Sequence, residues 1–250
     1  MVSKIEFTNY LEYISNEEYN LLTSLRNFGK EFFLFSELDF IYKEYFKILQ
    51  SLKVKPNYEA VISIFLYFIH FNFYFSTSCF MRGHTGEAFS SIRKSIDAGF
   101  TAYYILENKD SVEDYINQEK YFIYIKNTIK KIRESDKTKY PLAQGLIELH
   151  ELCSSYASHA DISSFINRIV IEKDKIGFNY FTIPEDKNTF KLYFVVGILS
   201  FYYLFRIFKN LFIDIKTKGI VVPDLQIKYN SLEGQLQELK KKYYENSKNT

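Results

Sequence analysis

Hydrophobic side chains recur every three or four positions along most of the chain, which is the spacing of a helix with one buried face. In the first such segment Phe28, Phe32 and Phe35 share a face, and Asn16 followed by Glu17 is typical of a helix start. The periodic segments span residues 17–52, 57–82, 87–106, 110–134, 142–158, 184–216 and 224–246. They predict an all-α fold, a helical bundle of about six or seven helices.

Residues 168–182 have a different pattern. β-branched and aromatic residues stand on both sides of Lys173, Asp174 and Lys175, which predicts a small β-hairpin. Upstream, Gly83 and Gly86 lie close together and predict a kink or a short break between two helices.

No repeat or long linker divides the chain, so residues 1–250 are expected to form a single domain. Residues 224–246 are predicted to form a peripheral C-terminal helix with a narrow apolar seam. This seam consists of Leu225, Leu232, Leu236, Leu239 and Tyr243. It fits packing on the bundle or on another copy of the chain, as a homo-oligomer.

The composition favours long helices and an aromatic core. The 250 residues include 25 Phe and 22 Tyr but no Trp, and only 4 Pro and 9 Gly. A formal net charge of +2 gives no argument for a broadly basic surface. Cys79 and Cys153 have no metal-ligand spacing and are expected to be reduced, buried thiols. The first ten residues lack the apolar stretch of a signal peptide, so we expect a cytoplasmic protein.

One segment raises the question of a membrane. Residues 60–81 contain no Asp, Glu, Lys or Arg, and this length suffices to span a bilayer. His70 and Asn72 lie near its centre, which favours a central bundle helix with His70 as a hydrogen-bonded core histidine. A helical membrane protein remains an alternative.

The common catalytic motifs are missing from the sequence. It has no Gly-rich phosphate loop, no Cys-x-x-Cys pair, no His-Glu-x-x-His and no Gly-x-Ser-x-Gly elbow. These absences point to no particular cofactor or metal and leave open whether the protein is an enzyme.

Three groups of polar residues are candidates for a site. Arg93 and Asp97, with Glu87 upstream, share a helical face, and this pair fits either an anion-binding arginine or a structural ion pair. His84 lies between the two glycines beside Arg82, which fits either a contact with a ligand or nucleic acid or a junction whose glycines serve close helix packing.

The third group lies near the end of the helix predicted over 142–158. Ser155 and His159 are four residues apart, with Ser158 and Asp161 nearby. A catalytic triad within so few residues would have poor attack geometry, so His159 fits a helix cap, a ligand contact or an acid–base group. His150, between two glutamates, is interpreted as a surface residue.

The segment GEAFSSIRKSIDAG at residues 86–99 resembles a motif of uncharacterised bacterial all-helical proteins, in which an acid follows an arginine by four residues. Ser155 and His159 resemble the Ser-x-x-x-His helix of the same proteins, and the resemblance covers residues 57–215. Such proteins are loosely HEPN-like, and many HEPN domains act as RNases in defence or toxin systems. The chain departs from the usual HEPN pattern, since Arg82 and His84 are too close to match an arginine followed four to six residues later by a histidine.

Our leading hypothesis is a polar site between helices that binds RNA or an anionic small molecule, in an RNase-like component of bacterial defence. The expected catalytic residues are His159, Arg93 and Asp97, and the expected ligand-binding residues are Ser155, Ser158, Arg82, His84 and Glu87. The rival hypothesis is a non-enzymatic interaction or scaffold protein that oligomerises through its aromatic-rich helices.

Overall fold

The computed structural model describes residues 10–51, 58–117, 121–156, 169–172, 175–178, 180–181, 183–184, 186–217 and 223–247. Within these ranges the chain forms nine helices and one pair of short strands. The helices are α1 (Tyr10–Asn27), α2 (Gly29–Gln50), α3 (Tyr58–Arg82), α4 (Thr85–Glu107), α5 (Ser111–Asn117), α6 (Tyr121–Ser135), α7 (Ala143–Tyr156), α8 (Lys187–Lys216) and α9 (Pro223–Ser247). The predicted all-α bundle is confirmed, whereas the predicted count of helices is too low.

One additional helix arises where a predicted helix is divided. The segment predicted over 17–52 begins at Tyr10 and breaks at Phe28, whose backbone leaves the helical region. Its buried ring packs against Phe190 and Phe194 of α8, with ring centroids 5.0 and 4.9 Å away. Apolar spacing continues across this break, so periodicity does not reveal it. The segment predicted over 110–134 contains α5 and α6, and residues 118–120 between them lie outside the described residues.

Two four-residue strands, β1 (Ile169–Glu172) and β2 (Lys175–Phe178), pair antiparallel with Ile169 opposite Phe178. They lie within the region for which a hairpin is predicted. Residues 173–174, which would form its turn, lie outside the described residues, so the hairpin stays a prediction.

The centre of the bundle lies where α3, α4 and α8 pack against one another. Close approach of α4 and α8 depends on Gly99, because a methyl group there would overlap the side chain of Leu204. Tyr42 of α2 is fully buried and donates a hydrogen bond of 2.9 Å to the Phe201 carbonyl of α8. The core is thus aromatic, and its buried hydroxyl has a partner.

The C-terminal helix α9 packs on α2 and α8 of its own chain. The residues that face them are all buried: Leu225, Tyr229, Leu232, Leu236, Leu239 and Tyr243. Of the two arrangements that the sequence allowed for this seam, the structure therefore shows packing on the bundle. Self-association through residues 224–246 stays a prediction, and it would have to use another face of α9.

Two helices, α3 and α8, are long and apolar enough to cross a membrane by length and composition. Of the most apolar window of α8, 67% is buried inside the bundle, against 39% for α3. A core helix of a soluble protein has the same length and composition. The exposed part of α3 is the larger apolar surface of the two.

Candidate functional site

A pocket of about 380 Å³ lies between α1 and the junction of α3 with α4. Three residues that the sequence singled out, Arg82, His84 and Glu87, line this pocket together. Its other lining residues are Tyr13, Glu17, Phe75, Ser78, Cys79 and Tyr180. The volume lies within the range of small-molecule sites.

The predicted break between α3 and α4 is confirmed, and Gly83 is the residue that requires it. Gly83 has φ of +88°, a left-handed conformation, and a Cβ there would lie 2.7 Å from Cγ1 of Ile183. The His84 amide donates a hydrogen bond of 2.8 Å to the Cys79 carbonyl, which ends α3 and starts α4 within three residues. This sharp turn directs His84 into the pocket beside Arg82.

The imidazole of His84 is held by α1. Its Nε2 lies 2.7 Å from Oε1 of Glu17 and 3.2 Å from the hydroxyl of Tyr13. Because the carboxylate only accepts, the proton of the neutral ring resides on Nε2, and Nδ1 is the basic nitrogen. The Tyr13 hydroxyl also donates to Glu17 Oε1 over 3.3 Å. Burial raises the pKa of Tyr13, and the charges of Glu17 and Glu87 raise it further.

Aromatic contacts also hold the side chains of Tyr13 and His84 in place. The ring of Tyr13 stacks on Phe181 at a centroid distance of 5.5 Å, and His84 lies 5.2 Å from the same ring. Tyr180 meets Tyr13 edge-on at 5.9 Å. The side chains of Tyr13 and His84 are therefore positioned by packing as well as by hydrogen bonds.

Arg82 supplies the positive charge of the pocket. Its Nη1 donates a hydrogen bond to Ser78 Oγ, one turn earlier on α3, and its carbonyl accepts from Asn20 Nδ2 over 3.2 Å. Among the described residues no carboxylate lies within ion-pair distance of its guanidinium. A half-buried guanidinium held this way presents its remaining donors to an anion.

Cys79 lies in the wall of the pocket, and its thiol is buried. Burial raises the pKa of its thiol to about 11, and the charge of Glu87 contributes to the rise. The thiol is therefore protonated at neutral pH.

A second polar cluster joins α4, α6 and α7. His150 Nε2 lies 3.0 Å from Oδ1 of Asp97, and Lys126 Nζ lies 3.3 Å from His150 Nδ1. The interpretation of His150 as a surface residue is wrong, since it is only 3% exposed. Glu148 and Glu151 are exposed on other faces of α7, because side chains one or two residues apart on a helix point in different directions.

The structure does not join Arg93 to Asp97. The ion pair that their spacing allowed is absent among the described residues, since Asp97 bonds His150 instead. His159 and Ser158 lie outside the described residues, so convergence of Arg93, Asp97 and His159 stays a prediction. Ser155 is exposed, and its hydroxyl donates to the Leu152 carbonyl over 2.7 Å.

Sequence reasoning missed Tyr13 and Glu17. Glu17 was assigned to the first turn of a helix capped by Asn16, but α1 begins at Tyr10 and both residues lie inside it. Asn16 Nδ2 donates back to the Glu12 carbonyl over 2.8 Å, which a mid-helix asparagine can do. The spacing of four between Tyr13 and Glu17 was the available signal, although it does not indicate that both reach His84.

No group of three or more His, Cys, Asp or Glu residues in the described ranges is close enough to hold a metal ion. No known family, no curated protein and no solved structure is significantly similar to this chain. The resemblance to HEPN-like helical proteins therefore stays a prediction, and the geometry of the pocket is the basis for assigning a function.

Proposed function

We propose that the protein binds single-stranded RNA through one nucleotide held in the pocket at the α3–α4 junction, and that His84 can cleave it there. The observation that carries this proposal is that Arg82 and His84 line the same pocket of about 380 Å³ as three aromatic rings, those of Tyr13, Phe75 and Tyr180. A cytoplasmic location, expected from the sequence, suits such a ligand.

Each part of a nucleotide has a matching group. The guanidinium of Arg82 suits a phosphate, because its planar fork donates to two oxygens at once. Phe75 and Tyr180 line the pocket and suit stacking on an unpaired base. Glu17 and Glu87 disfavour a bare polyanion and favour a ligand with hydrogen-bond donors, such as a ribose 2′-hydroxyl.

The His84–Glu17 pair supplies the acid–base chemistry of an RNase. In the proposed reaction the ribose 2′-hydroxyl gives its proton to His84 Nδ1, and the 2′-oxygen attacks the adjacent phosphorus. The bond from phosphorus to the 5′-oxygen breaks, that oxygen takes a proton from water, and a 2′,3′-cyclic phosphate remains. The hydroxide left from the water takes the proton from His84 Nδ1, which restores the neutral imidazole. Glu17 stabilises the imidazolium that forms.

Binding and cleavage are tested separately with one fluorescein-labelled single-stranded RNA, by fluorescence anisotropy and on a denaturing gel with a chelator present. Arg82→Ala should weaken binding at least tenfold. His84→Asn should keep binding but lower cleavage at least about 100-fold, the usual contribution of one acid–base group. Arg26→Ala, at an exposed arginine at the end of α1, is the matched control and should change neither.

The outcomes are distinct. Folded wild-type protein that neither binds nor cleaves RNA at about 0.1 mM, the weak end of non-specific nucleic-acid binding, would refute the proposal. Binding that survives Arg82→Ala but is lost in Arg93→Ala would move the site to the α4 face that the sequence suggested. Binding without cleavage in every condition would restrict the function to RNA binding. A single pocket also predicts a shallow salt dependence, with a slope of about −0.7 for each phosphate contacted.

A further inference from the structure

Helix α3 carries a continuous apolar surface that no residue in the described ranges covers. Ile64, Phe68, Phe71 and Phe75 follow one another at spacings of four and three, so they share one face of the helix. Tyr67 and Tyr74 border them, and all six side chains, called here the apolar stripe, are exposed. Ile64 and Phe71 are the most exposed, at 66% and 64%.

The apolar stripe is ordered and uncharged. The rings of Phe71 and Phe75 stack in parallel, with centroids 6.4 Å apart and planes inclined by 11°. Tyr67 is held by stacking on Phe46 of α2 at 4.7 Å. Residues 60–81 contain no Asp, Glu, Lys or Arg, so the stripe itself brings no charged side chain into an interface. The charges at its edge are those of α2, where Lys43 Nζ lies 5.6 Å from the ring centroid of Tyr74. A preorganised face loses little side-chain conformational entropy on binding.

The area of the stripe is sufficient for a specific interface. Aromatic side chains bury ~150–250 Å² each, so six large side chains about half exposed present roughly 600 Å². The largest apolar patch of a typical monomer is about 300–600 Å². Two such faces together bury about 1,200 Å², the lower bound of a specific interface.

We infer that the apolar stripe of α3 is the interface of a homodimer, and that its occupant is the same stripe of a second copy. An antiparallel pair of α3 helices with a two-fold axis between Phe68 and Phe71 sets Ile64 of one copy against Phe75 of the other. Phe68 then meets Phe71 of the second copy. The face is thereby self-complementary, as an interface with two-fold symmetry requires.

The charges beside the stripe favour a second copy over a lipid surface. A membrane-bound amphipathic helix carries a cluster of Lys and Arg next to its apolar face. On α2, the exposed lysines Lys43 and Lys47 are neutralised by Asp39 and Glu44, over 2.7 and 2.6 Å. The opposite face of α3 is packed into the bundle, where Asn72 accepts a hydrogen bond of 2.7 Å from Ser91 of α4, so the stripe is the exposed side of this helix.

Sedimentation velocity over a range of protein concentrations tests this interface. Wild-type protein should form a reversible dimer, and Phe71→Glu should weaken it at least about 30-fold, the effect of losing one interface hot spot. Because Phe71 is exposed in the monomer, the variant should keep the wild-type circular dichroism spectrum. Phe33→Glu is the matched control: Phe33 is 57% exposed on α2, two turns before Phe40, whose ring Lys228 of α9 covers. It should dimerise like wild type.

Each other result overturns the inference. A wild-type monomer at every concentration means that the stripe does not pair. A dimer that persists in Phe71→Glu but is lost in Ile227→Glu, an exposed position on α9, places the interface on α9 as the sequence suggested. Flotation of wild-type protein with neutral or anionic vesicles, abolished by Phe71→Glu, assigns the stripe to a membrane surface.

Discussion

Replacing Tyr243 with phenylalanine removes a single hydroxyl from the contact between α9 and the bundle. That hydroxyl donates a hydrogen bond to Oε1 of Glu31 in α2, and Glu31 is only 1% exposed. Lys191 Nζ of α8 lies 3.5 Å from the same oxygen, and Oε2 of Glu31 has no hydrogen-bond partner among the described residues. The Tyr243 hydroxyl is therefore a principal support of a buried carboxylate.

The expected cost follows from this burial. A hydrogen bond to a charged group contributes about 1.5–3 kcal/mol, and a buried carboxylate without its donor has no compensation from solvent. For a chain of this size each kcal/mol shifts the Tm by about 2–4 °C, so Tyr243→Phe should lower the Tm by roughly 3–12 °C. Tyr19→Phe, at a hydroxyl-bearing ring that is 66% exposed, is the control and should shift it by less than about 2 °C.

A double-mutant cycle isolates the contact. Glu31→Ala, which removes the acceptor, Tyr243→Phe, which removes the donor, and the double variant are unfolded thermally and followed by circular dichroism. Because both single changes break the same bond, the double variant should be more stable than the summed costs predict, by about 1 kcal/mol or more. A Tm for Tyr243→Phe within about 1 °C of wild type, or costs additive within about 0.5 kcal/mol, would refute the packing of α9 on α2.

Three further predictions concern titration and backbone conformation. Burial raises the pKa of Cys79 to about 11 and of Cys153 to about 12, so at about pH 8 a thiol reagent should modify both slowly in native protein and rapidly in guanidinium; equal rates would contradict this. Burial also lowers the pKa of His70, against the opposing effect of a neighbouring carboxylate, so the folded state binds this proton less tightly than the unfolded state. The stability that this group contributes is therefore present above the unfolded pKa of about 6.5 and is lost as the pH falls through the lowered folded pKa. His70→Gln should reduce this loss when Tm is measured against pH. An unchanged pH dependence would count against the burial of His70. Gly83→Ala should lower the Tm by several degrees, because a left-handed alanine costs about 1–2 kcal/mol before any overlap, whereas Gly29→Ala, where nothing lies within 4 Å of the added methyl, should not.

Local patterns predicted the helices well because each helix depends on residues within one or two turns of one another. The break at the α3–α4 junction was also local, since Gly83 takes the left-handed conformation that glycine adopts without steric cost. The break at Phe28 was missed because its cause lies far along the chain, in the rings of α8.

The polar contacts were less predictable for the same reason. Glu17 and His84 are 67 residues apart, Asp97 and His150 are 53 apart, and Glu31 and Tyr243 are 212 apart. Spacing on one helix indicates which residues share a face, but not which face of another helix they meet. Arg82, His84 and Glu87 were found because one turn places them together, whereas the acid that orients His84 had to be identified from the fold.

The two proposals meet at Phe75, which belongs to both the pocket lining and the apolar stripe. In the antiparallel dimer its ring packs against Ile64 of the second copy, and in the RNA-bound state the same ring stacks on a base. One ring cannot do both, so the dimer and the nucleotide compete for it, and a ligand that binds the monomer more tightly must weaken the dimer by the same factor. A dimer of this kind would hold the pocket in a state of low affinity until RNA or dilution separates the copies.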